Sequence, residues 1–82
     1  MDVIVDRCAG LDIDKKSVMA GIRIPDGQGG RAEYVRRFSA FLDGLLALRA
    51  WLLEHDVTQV AMEATGSYWL PVWRVLVEPG PS

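Results

Sequence analysis

Asp12 lies in Cys8-Ala9-Gly10-Leu11-Asp12-Ile13-Asp14 and Glu63 in Val60-Ala61-Met62-Glu63-Ala64-Thr65-Gly66, so both carboxylates interrupt runs that otherwise read as apolar strands. No basic residue adjoins either in sequence. A buried carboxylate is costly unless it is paired, protonated or bound to a cation, so two of them at strand positions point to a use. Hard oxygen donors of this kind suit a divalent cation such as Mg2+, and one or two such ions assist phosphoryl transfer by orienting the scissile phosphate and stabilising charge on attacking and leaving oxygens. Two carboxylates are half of such a site and would hold magnesium weakly.

The other chemically capable residues read more plainly. His55, the sole histidine, closes a helix, where its partial charge suits the carbonyl end of the dipole, and no Ser-His-Asp arrangement can be built around it. Cys8, the sole cysteine, shares the strand face of Asp12 but has no Cys or His partners at zinc spacing and reads as a buried, inert thiol. Thr65-Gly66-Ser67 reads as the start of a helix with a capping hydroxyl, and no phosphate-binding fingerprint is present. Trp69 and Trp73, one helical turn apart, read as core or interface residues. Arg36 and Arg37 fall on opposite faces of a strand and, like Lys15 and Lys16 in a turn, read as solvated charges.

The elements that must hold Asp12 and Glu63 follow from periodicity. Over residues 7–14, Ala9, Leu11 and Ile13 alternate with Cys8, Gly10, Asp12 and Asp14, which is strand spacing, with Asp12 on the less apolar face. Lys15-Lys16 turns into a second strand, 17–24, with Val18, Ala20, Ile22 and Ile24 in phase, making a hairpin. Pro25-Asp26-Gly27-Gln28-Gly29-Gly30 is a dense turn signal, and residues 32–38 make a third strand of an antiparallel meander. Helical spacing begins around 39–43, with Ser39 or Asp43 as the cap and Phe41, Leu45, Leu48 and Leu52 as the apolar stripe, and ends near His55. A fourth strand, 57–62, follows a helix and is expected parallel to an earlier strand, with Glu63 at its carboxyl end. A second helix then carries the stripe Trp69, Val72, Trp73 and Leu76, tolerates Pro71 in its first turn and stops at Glu78-Pro79-Gly80-Pro81.

The chain has 82 residues, half of them hydrophobic, with a formal net charge of −2. That length suits one small domain or part of a larger one, since a chain of this size buries only about 60% of its unfolded surface. So high an apolar content in so small an interior predicts apolar surface left for a partner, with self-association or partial disorder as the expected outcome. The charge excludes a free-standing binder of nucleic acid with a broad basic face. A single cysteine, a start without a basic lead and the lack of an apolar run of about 18 residues predict a cytoplasmic chain with no membrane association.

The order strand, strand, strand, helix, strand, helix, with an acid in the first strand and a second acid ending the fourth, resembles the front of the α/β ribonuclease H-like fold shared with RuvC-type resolvases. Gly10-Leu11-Asp12-Ile13-Asp14-Lys15-Lys16 resembles the Gly-Ile-Asp-Val-x-Lys opening of the DEDD transposases of bacterial insertion sequences, a family that includes the Piv-type DNA invertases. Met62-Glu63-Ala64-Thr65-Gly66-Ser67-Tyr68 resembles their Glu-Ala-Thr-Gly-x-Tyr segment. The two motifs stand 51 positions apart, from 12 to 63, with the matching elements between them, and the resemblance spans residues 8–77.

The resemblance implies that residues 1–82 are the amino-terminal portion of a RuvC-like domain, with Asp12 and Glu63 as two catalytic, metal-binding members of an acidic tetrad. Asp14 matches no catalytic position. It further implies Mg2+ as the cofactor, DNA as the partner of a full-length parent, a structured guide RNA in several relatives, and a second Asp pair and a serine-bearing domain beyond Ser82. Alone, the chain is expected to lack efficient nuclease or recombinase activity. Two other classes remain open: an actin-like or sugar-kinase-like ATPase fragment, which also begins with a hairpin carrying an early Asp, and a non-catalytic interaction module.

Overall fold

The computed structural model describes residues 7–64 and 66–77, and the expected helix stop at Glu78-Pro79-Gly80-Pro81 lies outside them, as does Thr65. The fold is α/β: a mixed four-strand sheet and two helices in the order β1 (Cys8–Ile13), β2 (Ser17–Pro25), β3 (Arg31–Ser39), α1 (Leu42–Glu54), β4 (Gln59–Ala64) and α2 (Trp69–Val77). The sheet order is β3-β2-β1-β4, with the first three strands an antiparallel meander and β4 parallel to β1.

Local chemistry makes the turns. At the β1–β2 turn the Asp14 N–H donates to the Ser17 carbonyl (2.9 Å), and Asp14 Oδ1 accepts the Lys15 N–H (2.8 Å). At the β2–β3 turn Asp26 Oδ1 accepts the N–H groups of Gln28 and Gly30, while Gly27 and Gly29 take the positive φ angles that an L side chain resists. Pro25, expected in that turn, is instead the last residue of β2 and pairs with Arg31.

Alternation then sorts the side chains. Ala9, Leu11 and Ile13 of β1 and Val18, Ala20 and Ile22 of β2 are buried on one face, where they meet Phe38 of β3, Leu45, Leu48, Trp51 and Leu52 of α1, and Val72 of α2. Both helices contribute to this one cluster. Leu45, Leu48 and Leu52 form the expected stripe of α1, but Phe41 is 63% exposed and Trp51 takes a core place beside Phe38, ring centroids 5.4 Å apart. The reason is that Phe41 precedes the first helical turn. It is the N-cap residue, with extended backbone and no side-chain cap bond, so neither Ser39 nor Asp43 caps the helix. Ser39 Oγ accepts the Phe41 N–H and Asp43 Oδ1 the Gly44 N–H.

The end of α1 explains why β4 starts late. Asp56 has φ of 54°, its N–H reaches the Leu53 carbonyl, and the Val57 N–H reaches the Leu52 carbonyl, which together make a Schellman motif with Asp in the place glycine usually takes. Thr58 N–H and Oγ1–H both bond the Arg7 carbonyl, at 3.0 Å each, and Arg7 Nη1 donates back to the His55 carbonyl at 2.7 Å. Residues 57 and 58 are thus consumed in closing the helix and docking onto Arg7. The strand expected over 57–62 runs two residues later, and Glu63 lies within β4 instead of following it.

Candidate metal-binding site

Among the described residues nothing covers the face of the sheet opposite the helices, and the strand registers arrange its side chains in three cross-strand rows. One row runs Arg37, Met19, Asp12, Glu63; the next runs Val35, Gly21, Gly10, Ala61; the third runs Glu33, Arg23, Cys8, Gln59. Asp12 and Glu63 are direct neighbours, paired across the parallel β1–β4 ladder on strands spaced about 4.8 Å apart. Period-2 alternation put Asp12 on this face, and the parallel register brings Glu63 to it.

Both carboxylates are exposed, which overturns the expectation that they are buried. The helices cover only the Leu11 face, so solvation offsets the cost of charge and burial gives no reason for a cation to be there. What remains is the pairing itself. Two like charges side by side repel, and among the described residues neither makes a salt bridge; the ion pair on this face is Arg23–Glu33 at 2.7 Å, two rows away. Gly10 leaves the space next to the pair open, since a Cβ there would meet nothing within 4 Å. Asp12 and Glu63 also line one shallow depression with Met19, Gly21 and Val35.

Two adjacent carboxylates with open solvent above them suit a hard, hydrated divalent cation, with water filling the other positions. Among the described residues no three His, Cys, Asp or Glu side chains gather into a fuller set. The donor chemistry fits magnesium, through two ligands only.

No protein-family model and no curated protein matches the chain.

The remaining singled-out residues fall in varied places. Cys8 is on the Asp12 face as expected, but half-buried, not buried, because that face has no cover. His55 is the C-cap of α1, its Nδ1 2.9 Å from the Trp51 carbonyl and its ring packed between Tyr34 and Trp51, away from the carboxylates. Arg36 lies over the Phe38 ring at 5.0 Å, while Arg37 is on the opposite face and its Nη2 reaches Ser17 Oγ at 3.5 Å. Lys15 and Lys16 are exposed in the turn. Ser67 offers its carbonyl to the Leu70 N–H at 3.1 Å as the chain enters α2. Trp69 and Trp73 are 43% and 38% exposed and border a groove beside β4, so Val72, with Val75 and Leu76 partly buried, makes the core contact of α2.

Met19 and Arg37 were missed as neighbours of the acid pair. Alternation within each strand could place them on the face, but only the pairing register puts them in the same row. No helix is long and apolar enough to cross a membrane, among the described residues.

Proposed function

We propose that this chain is the amino-terminal portion of a RuvC-like, ribonuclease H-like domain of a DEDD transposase, and that Asp12 and Glu63 are two of its four metal-binding carboxylates. The observation that carries the reading is their direct pairing across β1 and β4, which joins two sequence motifs 51 positions apart at one place on the sheet. The order β-β-β-α-β-α with a mixed sheet is compatible with that fold.

In this reading Asp12, on an interior strand, and Glu63, one residue from the end of β4, hold Mg2+ at fixed separation, because ladder hydrogen bonds immobilise both backbones. Bound magnesium would supply charge stabilisation on a scissile phosphate of DNA. The two side chains by themselves orient hard ligands and nothing more, since the motif-matched sequence provides no third or fourth acid and no nucleophilic serine in its neighbourhood. A guide RNA belongs to the parent assembly, as does DNA.

The ATPase alternative is disfavoured by the turn after Asp12. A phosphate loop needs free backbone N–H groups, and those of Asp14 and Lys15 are already bonded, in a turn without glycine. Two experiments test the proposal. Sequencing the DNA that follows the Ser82 codon should reveal, in frame, a fifth strand followed by an Asp pair and then a serine-bearing domain; an unrelated reading frame there would sink it. Incubated alone with magnesium and duplex DNA, the chain should not cleave; sustained cleavage abolished by Asp12→Asn would show that two carboxylates suffice and that the assignment of half a site is wrong.

A further inference from the structure

Alternation puts Arg36 and Arg37 on opposite faces of β3, and the strand registers decide what each can meet. Arg36 is on the helix side, its guanidinium carbon 5.0 Å from the centroid of the Phe38 ring. Arg37 pairs with Met19, Met19 with Asp12 and Asp12 with Glu63, so this arginine stands in the row of the two acids and on their face of the sheet.

Its side chain also leans the right way. Arg37 Nη2 donates to Ser17 Oγ at 3.5 Å, and Ser17 is a β2 residue on the same face as Met19, so the guanidinium leaves its own strand and lies over β2, toward β1. Among the described residues no carboxylate is within ion-pair distance of it, whereas Arg23, farther along the same face, is taken by Glu33. Asp14, the acid of the nearby turn, accepts the Lys15 N–H instead. That turn lies at the same end of the sheet and adds two exposed cations, Lys15 and Lys16. From β2 to the midpoint of Asp12 and Glu63 is one and a half strand spacings, about 7 Å across the sheet. A phosphodiester with one oxygen on a cation between the acids and another accepting from the guanidinium bridges about that distance. Neither the carboxylates nor the Met19 thioether can donate to such an anion, which leaves Arg37 as the donor of the row.

We propose that Arg37 is a substrate-binding residue, whose guanidinium, held over β2 by Ser17 Oγ, binds the DNA phosphodiester that a cation at Asp12 and Glu63 holds from the other side. This role rests on the function proposed above and names one more residue of the same site. The planar fork of an arginine matches phosphate oxygens with two parallel N–H bonds. The order of binding follows from charge. Without a cation the two carboxylates repel a phosphate from the row, so Arg37 engages DNA only after magnesium is bound.

A two-step NMR titration of the 82-residue chain tests it. Magnesium alone should shift the amide signals of Asp12 and Glu63; if it does not, the metal reading fails and the role of Arg37 falls with it. A short single-stranded DNA oligonucleotide added next should shift the Arg37 Nε–H signal in magnesium and leave it in place in chelator. Arg37→Gln, at an exposed position and with an unchanged circular dichroism spectrum, should weaken DNA binding in magnesium by roughly five-fold or more while the magnesium titration stays as in the parent. Arg31→Gln removes the same charge from the far end of β3 and should change DNA affinity by no more than about two-fold. A normal magnesium response with DNA affinity untouched by Arg37→Gln, or lowered equally by Arg31→Gln, overturns the assignment of Arg37 and leaves the metal pair standing. Absence of DNA binding by the magnesium-loaded chain overturns it as well.

Discussion

Asp12 and Glu63 are Cα partners in the parallel β1–β4 ladder, both exposed on the face that the helices leave bare. Adjacent strands hold their backbones about 4.8 Å apart, so the two carboxylates repel unless a cation lies between them. The arrangement carries a repulsive cost that a bound cation would offset.

That cost has a measurable sign. In chelator, Asp12→Asn should raise the unfolding free energy by a few tenths of a kcal/mol, because one of two facing charges is gone. In millimolar magnesium the order should reverse, with the parent chain gaining thermal stability and the variant gaining none, by the linkage of ligand binding to folding. Thermal melts of both proteins in the two buffers decide it; equal magnesium responses would mean the pair does not bind the ion.

Leu48 is fully buried where α1 meets the sheet, whereas Leu46, two residues earlier, is 47% exposed. Leu48→Ala should cost about 2–5 kcal/mol, a large share of the stability of so small a domain. Leu46→Ala should stay within about 0.5 kcal/mol of the parent. Urea denaturation of the pair checks whether α1 presents the face described above.

Gly44 inverts a familiar rule. Alanine usually stabilises a helix over glycine by about 1 kcal/mol, yet a Cβ at Gly44 would collide with the Ser39 carbonyl oxygen, which is backbone. Gly44→Ala should therefore lower stability by about 1–3 kcal/mol, through displacement of the segment that joins β3 to α1. Gly10→Ala, with open space around it, should raise stability by about 0.5–1 kcal/mol. Chemical denaturation of both variants reads the two opposite signs.

Asp56 holds the left-handed position of the Schellman turn that ends α1. Glycine adopts that backbone without the Cβ penalty, so Asp56→Gly should stabilise the fold by about 0.5–1 kcal/mol and slow amide exchange at Val57 and Thr58. Faster exchange at those two amides would show that the Asp side chain supports the turn in a way its backbone geometry does not reveal.

Much of this was legible in the residues. The meander, both helices and the place of Pro71 in the first turn of α2 follow from spacing, because alternation and helical periodicity are local properties of the backbone, and the parallel return of the fourth strand follows from the helix that precedes it. The misplacements share a cause. Phe41 fits the apolar spacing of α1 but lies one residue before it, and residues 57–58 look like strand but serve the helix end and Arg7. Boundaries of elements depend on which backbone groups find partners, and at residues 57–58 those partners are the last turn of α1 and the distant Arg7 carbonyl.

The sequence by itself determined which face of its strand each residue takes, and therefore that Asp12 lies opposite Leu11 and shares a side with Cys8 and Gly10, since successive side chains on a strand must alternate. Only the tertiary structure decided that Glu63 falls beside Asp12, that both stay in solvent, and that β4 is the outermost described strand on the β1 side of the sheet. Those outcomes depend on the register between strands separated by some fifty residues and on both helices packing against one side of the sheet, and no local pattern encodes either.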